Sequence, residues 1–490
     1  MKLDELIEHL DYKDLINFKN IDITGISYNS KTTKKGDIFV CLAGEHTDGH
    51  NYAESAIENG AAALLVEKRL DYKIPQVVVS STRHKIADIA DRFYSSPSEG
   101  INLIGITGTN GKTTVTHLIQ KIFEENNQKC ALIGTLGYKL SSNGEYRDAK
   151  HTTPQAPELQ ATLRMIKDVE KIDNVVMEVS SHALEQNRVG GCRFNGAVLT
   201  NLTQDHLDYH ITMDNYFEAK ALLFKRLQEG NFAVINADDA YGERFLKEVP
   251  VGVKKYTYGV KNNADVTAKD INFSMNGAEF TLTANGAEYH VNLHMNGMFS
   301  VYNVLAAITT AVAQGIDIKS SLDALQNIKG VAGRFEVVVK KPLVIVDYAH
   351  TPDGLENVLN SAREITPPNG RLICLFGCGG DRDATKRPKM GAIAEKIADR
   401  IIITSDNPRS EDPQQIITDI IAGLKSVSPE KVTVEPDRGK AIELLKTIAD
   451  NNDVVIIAGK GHEDYQILKD RTIHFDDREQ AKNVFEGSVI

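Results

Sequence analysis

Cysteine is scarce in this sequence of 490 residues: Cys41, Cys130, Cys192, Cys374 and Cys378 are scattered along it. Cys374 and Cys378 stand four apart, but no second pair and no histidine lies at zinc spacing, so buried thiols are expected. No apolar run approaches membrane-spanning length, which argues against membrane insertion. The opening MKLDELIEHLDYKDL reads as an acidic amphipathic helix and lacks the pattern of a secretory leader. Positive charge is also short: 56 Lys and Arg face 67 Asp and Glu, for a net −11. That balance argues against a broad nucleic-acid-binding surface. An anionic ligand would need local cations or metal ions. Internal repeats and low-complexity tracts are missing too. These absences point to a reduced, cytoplasmic protein.

What is there is ordinary in bulk and pointed in detail. Hydrophobic residues make up 41% and charged residues 25%, as in soluble globular proteins. The length implies two to four domains. Three segments alternate short apolar strands with helical patterns, the signature of α/β layers. They divide the chain at 1–98, 99–333 and 334–490. The first holds the strand candidates DIFVCLA, AAALLVE and QVVVSS. The second opens on Leu103–Ile106 and turns to short antiparallel strands between 264 and 295. The third holds LVIVDYAH, RLICLFGCGG, RIIITSDN and DVVIIAGKGHE, each apolar and each ending in glycine, histidine or charge. In open α/β sheets ligands bind beyond the carboxyl ends of the strands, so these polar ends are expected to meet on one rim.

ITGTNGKTTV (106–115) reads as strand, glycine-rich turn and helix. Such a turn aims backbone N–H groups and a helix N-terminus at phosphate. Gly108, Thr109, Asn110, Gly111 and Thr114 form the cradle, Lys112 adds a point charge, and the Thr113 hydroxyl suits Mg²⁺. The loop is short, with two residues between its glycines. After it, Val115, Leu118, Ile119, Ile122 and Phe123 share one helical face. A triphosphate site of this kind needs a metal carboxylate from another strand end; Glu178, closing NVVME, is the candidate. His206, in TNLTQDHLDYH, follows a buried strand. Lys220 shares a helical face with Tyr216, Leu223 and Leu227. Its ammonium either snorkels out to water or is desolvated and used.

SDNPRS (405–410) ends a buried strand with an acid, an amide and an arginine. Arg409 is either a solvated turn charge or a bidentate fork for a carboxylate. Pro408 stiffens the turn.

Taken together, TGTNGKTT (107–114), EVSSHAL (178–184), TNLTQDHLDYH (200–210), YFEAKALLF (216–224), INADD (235–239), GRFE (333–336), DYAHTPD (347–353) and AGKGHEDYQ (458–466) resemble the Mur ligase family. These are ATP-dependent amide-forming enzymes of peptidoglycan precursor synthesis. The resemblance implies three α/β domains: an N-terminal uridine-nucleotide-binding domain, a central P-loop ATPase domain and a C-terminal Rossmann-like domain. It further implies a monomer whose substrates are ATP, UDP-N-acetylmuramoyl dipeptide and, from SDNPR, meso-diaminopimelate.

On the same ground, Asn303, Arg334 and Asp347 would contact ATP. Lys220 would carry a CO₂-derived carbamate and hold Mg²⁺ with Thr113, Glu178 and His206. Ser30, Glu45, His46 and Thr47 would bind the uridine end of the substrate. Thr152, Thr153, Ser180, Gln186 and Arg188 would hold its middle and peptide. Arg382, Asp406, Asn407, Pro408, Arg409, Gly459 and Glu463 would form the amino-acid pocket, with Asp406 and Asn407 taking the distal amine. The rivals are a folylpolyglutamate synthetase, which shares the ATP grip, and a P-loop regulatory protein without ligase chemistry. A third reading, GCGGDRD as a dinucleotide turn, fails on glycine spacing.

Overall fold

The computed structural model describes residues 1–44, 47–147, 151–274, 277–326, 328 and 330–487. Among the described residues three large sheets follow one another along the chain, each layered with helices, and Tyr465–Ile467 pairs with Thr472–His474 in a small fourth one. The first contains β1 (Tyr12–Ile16), β2 (Gly25–Ser27), β3 (Asp37–Val40), β4 (Ala63–Val66) and β5 (Gln76–Val79). Their order is β1-β5-β4-β3-β2, parallel except that β1 runs against β5. Strands β3, β4 and β5 are buried throughout, as expected of continuous apolar runs covered on both faces.

Here the opening helix is shorter than its sequence pattern implies. It covers only Leu3–Ile7, and the chain then forms β1. Tyr12, Asp14 and Ile16 sit at alternate positions, and pairing with the otherwise open edge of β5 satisfies backbone groups that a lone helix would leave to water.

The second sheet has ten strands: β6 (Asn102–Thr107), β7 (Cys130–Gly134), β8 (Gly137–Lys139), β9 (Asn174–Glu178), β10 (Gly196–Leu199), β11 (Phe232–Asn236), β12 (Lys254–Gly259), β13 (Val266–Ser274), β14 (Gly277–Ala284) and β15 (Ala287–Leu293). The order is β15-β14-β13-β12-β11-β10-β6-β9-β7-β8. The antiparallel β13–β15 meander expected between 264 and 295 extends this sheet through a parallel β12–β13 pairing. The helix Lys112–Glu125 buries Val115, Leu118, Ile119, Ile122 and Phe123, joining the core beneath the helix Met298–Ala313. The helices Ala156–Asp168 and Met213–Lys225 contribute to a second core with the sheet's strands.

The third sheet contains β16 (Glu336–Lys340), β17 (Leu343–Asp347), β18 (Leu372–Phe376), β19 (Arg400–Ile403), β20 (Val432–Val434) and β21 (Val454–Ala458), in the order β16-β17-β21-β18-β19-β20. Only β16 is antiparallel. The carboxyl ends of β17, β21, β18 and β19 therefore share one rim. Among the described residues no helix is long and apolar enough to cross a membrane. All five cysteines are free and buried.

Candidate active site

Strand β6 delivers the chain into the glycine-rich turn. Gly108 (φ +148°) and Gly111 (φ +86°) lie where L side chains are strained. A Cβ on Gly108 would stand 1.9 Å from Thr200 Oγ1, and one on Gly111 2.5 Å from Asn303 Oδ1. Gly111 is the N-cap of the helix Lys112–Glu125, whose first N–H groups lack helical partners and favour an anion. Asn201 braces the turn: its carbonyl accepts from Thr109 N at 2.8 Å and its Oδ1 from Asn110 N at 2.9 Å.

Two ammonium groups converge on one carbonyl. Lys112 Nζ donates to Gly108 O at 2.9 Å and Lys220 Nζ donates to it at 2.8 Å. Lys220 is 1% exposed, so it does not snorkel: its Nζ lies 4.6 Å from the Tyr216 ring, and Tyr216 and Leu223 on the same helix belong to the core. Burial lowers both lysines from their usual range, Lys220 far below it, with Lys112 adding repulsion. Two like-charged donors meeting at a phosphate turn, one buried and one half-buried, need an anion or a lost proton.

Glu178, 1% exposed, ends β9 beside this turn. Its carboxylate accepts from Thr113 Oγ1, Thr135 N and Thr135 Oγ1, each at 3.0 Å. A hydroxyl and one buried carboxylate, with phosphate oxygens to follow, are the hard-oxygen donors that Mg²⁺ uses. Among the described residues no three His, Cys, Asp or Glu side chains converge as an all-protein metal cage. His206 belongs to a neighbouring cluster. Its Nε2 lies 3.2 Å from Asp205 Oδ2, and its ring meets those of His182 and Tyr216. Tyr216 OH in turn lies 3.3 Å from Thr109 Oγ1, linking the cluster to the turn. Burial pushes the His206 imidazole down to about 3, so it is neutral and able to donate a lone pair at neutral pH.

A cavity of about 230 Å³ lies against the turn, lined by Asn110, Gly111, Thr114, Asn303, Arg334 and Asp347 among others. Arg334 reaches Thr113 Oγ1 at 3.3 Å and stacks 4.3 Å over the Tyr348 ring. Asp347, at the end of β17, accepts from Phe335 N and Ala349 N, both at 2.7 Å. Asn110 Nδ2 donates to Asp353 Oδ2 at 2.9 Å, tying the turn to the third unit.

The residues expected to hold a substrate's middle form one network. Thr153 Oγ1 donates to Glu178 O at 2.9 Å and accepts from Ser180 N at 3.0 Å. Arg188 donates to Thr153 O at 3.1 Å and, through Nη2, to Gln186 Oε1 at 2.7 Å. Thr152 Oγ1 donates to Thr135 Oγ1 at 3.1 Å, whose own proton goes to Glu178. Ser30 opens the 3-10 turn Ser30–Thr32 of the first unit, where its carbonyl accepts from Asn59 Nδ2; Thr47 stands on a loop there, its carbonyl accepting from Gly44 N. Glu45 and His46 lie outside the described residues.

A second cavity, about 310 Å³, is lined by Arg382, Asp406, Asn407, Arg409, Gly459 and Glu463 from the third unit, and by Thr152, Asp205 and His206 from the second. Its lining brings Arg382, Arg409 and Lys386 together with Asp205, Asp208, Asp383, Asp406 and Glu463, a mixed-charge set that matches a ligand carrying both ammonium and carboxylate groups. Arg409 is held in a left-handed conformation (φ +53°), which costs roughly 1–3 kcal/mol. Its Nη1 donates to Gly380 O at 2.7 Å, so the side chain is positioned and not a free turn charge. Pro408 lies behind the wall, its carbonyl 2.0 Å from where a Gly380 Cβ would stand.

Asn407 differs from the sequence reading. Its Nδ2 donates to Glu463 Oε2 at 2.8 Å, and its Oδ1 accepts from Ile467 N at 2.9 Å and Lys460 Nζ at 3.3 Å. The amide is spent holding the pocket wall, leaving Asp406 and Glu463 as the carboxylates of these two segments that line the cavity. Lys460, fully buried and 3.0 Å from Glu463, was not singled out by sequence; a lysine between two glycines after a buried strand is its only signal. His350, whose Nε2 lies 4.0 Å from Asp205, carries no sequence signal beyond its place after β17.

Comparison with known proteins follows this geometry closely. Residues 22–94 match the family model for the Mur ligase family, catalytic domain. Residues 106–311 match the Mur ligase middle domain, and 333–461 the Mur ligase, glutamate ligase domain. The chain is 45% identical to a UDP-N-acetylmuramoyl-L-alanyl-D-glutamate--2,6-diaminopimelate ligase of Syntrophomonas wolfei, covering 100% of both chains. It is also 45% identical to the protein of that name from Bacillus velezensis, covering 98% of each. A solved structure of such a ligase is 34% identical, covers 99% of both chains and superposes with a TM-score of 0.69. A folylpolyglutamate synthase of Mycobacterium tuberculosis, at 18% identity, 77% of this chain, 92% of that one and TM-score 0.65, shares the fold.

Proposed function

This chain belongs to the Mur ligase family, and from that premise we propose that it is an ATP-dependent ligase joining meso-2,6-diaminopimelate to the D-Glu γ-carboxylate of UDP-N-acetylmuramoyl-L-alanyl-D-glutamate. The observation that carries this reading is the mixed-charge cavity, whose wall is shared by the His206 loop of the phosphate-binding unit and by Arg409 and Glu463. An amino acid held there stands next to the nucleotide turn. We take 1–98, 99–333 and 334–490 as the working domains, a monomer as the working state and the cytoplasm as the location.

The γ-carboxylate attacks the γ-phosphorus of ATP, the bond to the bridging oxygen breaks, and an acyl phosphate and ADP form. The amine then attacks the acyl carbon. The tetrahedral intermediate collapses with loss of a proton to solvent or base and expulsion of phosphate. Two anions must approach, so the turn's N–H groups and Lys112 neutralise charge where it develops. Thr113 and Glu178 would hold Mg²⁺, which when bound would screen the phosphate oxygens. Asn303, Arg334 and Asp347 line the nucleotide cavity and orient ATP. Ser30, Glu45, His46 and Thr47 take the uridine end, while Thr152, Thr153, Ser180, Gln186 and Arg188 hold the dipeptide end. Arg382 and Arg409 grip the distal carboxylate, which a lysine side chain lacks.

Lys220 is the site for carbamylation. Its neutral amine attacks CO₂, the nitrogen loses a proton, and a carbamate anion stands where a protonated lysine would repel Lys112. The depressed affinity of Lys220 for a proton supplies that neutral amine, and Lys220 and His206 both neighbour the Tyr216 ring. Labelled bicarbonate should yield a carbamate carbon signal in the wild type and none in Lys220→Ala.

The test of the ligase reading is product analysis. Incubation with ATP, Mg²⁺, the UDP-linked dipeptide and diaminopimelate should give ADP, phosphate and the UDP-linked tripeptide in equal amounts. ATP hydrolysis that ignores both other substrates would contradict it.

A further inference from the structure

Arg438 and Asp477 lie outside every cavity described above, and both side chains are fully buried. Each begins a helix, Arg438–Ile448 and Asp477–Glu486. The contact is bidentate: Arg438 Nε donates to Asp477 Oδ1 and Nη2 to Oδ2, both at 2.7 Å. The remaining reach of the guanidinium goes to backbone. Nη1 donates to Ser405 O at 3.2 Å and Nη2 to Ala458 O at 3.0 Å.

Those two carbonyls are informative. Ser405 directly precedes Asp406-Asn407-Pro408-Arg409, and Ala458 directly precedes Gly459. The strands they leave, β19 and β21, are not neighbours, because β18 runs between them. One side chain thus bridges over the end of β18 and ties together the two segments that carry six of the seven pocket residues. The packing at that crossing leaves no slack. A Cβ on Gly377, just past β18, would stand 2.4 Å from Thr404 O, and one on Gly459 2.5 Å from Asp406 Oδ2.

A fully buried ion pair is a poor way to gain stability. Its desolvation cost often cancels its attraction, and apolar replacements of the pair are frequently neutral. Geometry is the better account of this one. We propose that Arg438 and Asp477 are positioning residues for the amino-acid pocket, clamping the ends of β19 and β21 so that Arg409 and Glu463 face one another across it. This rests on the reading of that cavity as the amino-acid site.

The pair is tested by replacing it whole, Arg438→Met with Asp477→Leu, which removes the clamp without leaving a buried charge. Arg438→Lys, which keeps the charge and loses the fork, is measured beside it. Steady-state kinetics are taken for each of the three substrates, with whichever amino acid the wild type uses. The expected result is a KM for the amino acid raised about 10- to 100-fold, the usual loss when support behind a binding group is removed. The KM values for ATP and the UDP-linked dipeptide stay within roughly twofold. Arg438→Lys should show the same split, smaller, and settles the matter if the double variant does not fold. Three KM values that move together, or none that moves, would overturn the clamp while leaving the pocket reading intact. A wild type with no amino-acid-dependent turnover would overturn the pocket reading, and the clamp with it.

Discussion

The phosphate turn and the amino-acid pocket are built on opposite plans. The turn is contiguous: residues 108–114 supply its glycines, its lysine and its hydroxyl. The pocket gathers residues from six chain segments, around 152, 206, 349, 382, 407 and 460. Conformation sets the first, whereas relative placement of strand ends sets the second. Damage to the turn should therefore stop turnover with every amino acid. Damage to the pocket should change which amino acid is used and how tightly.

The largest effect is expected at Lys112. Lys112→Ala removes a charge aimed at the transferring phosphate, and kcat should fall about 100- to 1000-fold, equally with every amino acid, as read by ADP release. Arg409→Ala should leave the KM for ATP alone and raise that for diaminopimelate about 10- to 100-fold, the worth of a charged hydrogen bond left unmade. Equal losses for both substrates would dissolve the distinction between the two regions. Gly111→Ala sharpens it from the other side. A methyl at φ +86° and 2.5 Å from Asn303 Oδ1 should raise the KM for ATP by about tenfold, with the amino-acid KM unchanged, since roughly 1–3 kcal/mol of strain falls on the turn alone.

The smallest effect is on stability in mild acid. Burial lowers His117, His210 and His350 each to about 4. Their folded-state imidazoles stay neutral while the unfolded chain takes up protons near pH 6.5. The unfolded state then binds more protons, so stability falls as pH drops from about 6.5 to about 4, and these groups contribute nothing above that window. The urea midpoint should be level from pH 7 to 8 and decline below it, with a shallower decline in His117→Gln.

The same contrast governs what could be read from sequence. A contiguous site is visible to anyone reading along the chain, so TGTNGKTT and its amphipathic helix were legible to the residue. The buried β-branched strands were legible because burial on both faces writes an unbroken apolar run. The opening helix was overextended because a few residues with alternate polarity satisfy both periods, and only the bare edge of β5 decides between them. Lys220 showed as an anomaly on an apolar face, but its meeting with Lys112 depends on a turn carbonyl, that of Gly108, 112 residues away. Arg438 gave no signal at all. A charged residue at a helix start is ordinary, and nothing local says that two helices bury it between strand ends.

The measurement that tests the central claim most directly is phosphate release with ATP, Mg²⁺ and UDP-N-acetylmuramoyl-L-alanyl-D-glutamate, comparing meso-diaminopimelate with L-lysine. The account predicts release that requires the UDP-linked dipeptide and strongly favours diaminopimelate, because Arg409 and Arg382 repel a distal cation unaccompanied by a carboxylate. Equal or greater release with L-lysine would contradict it.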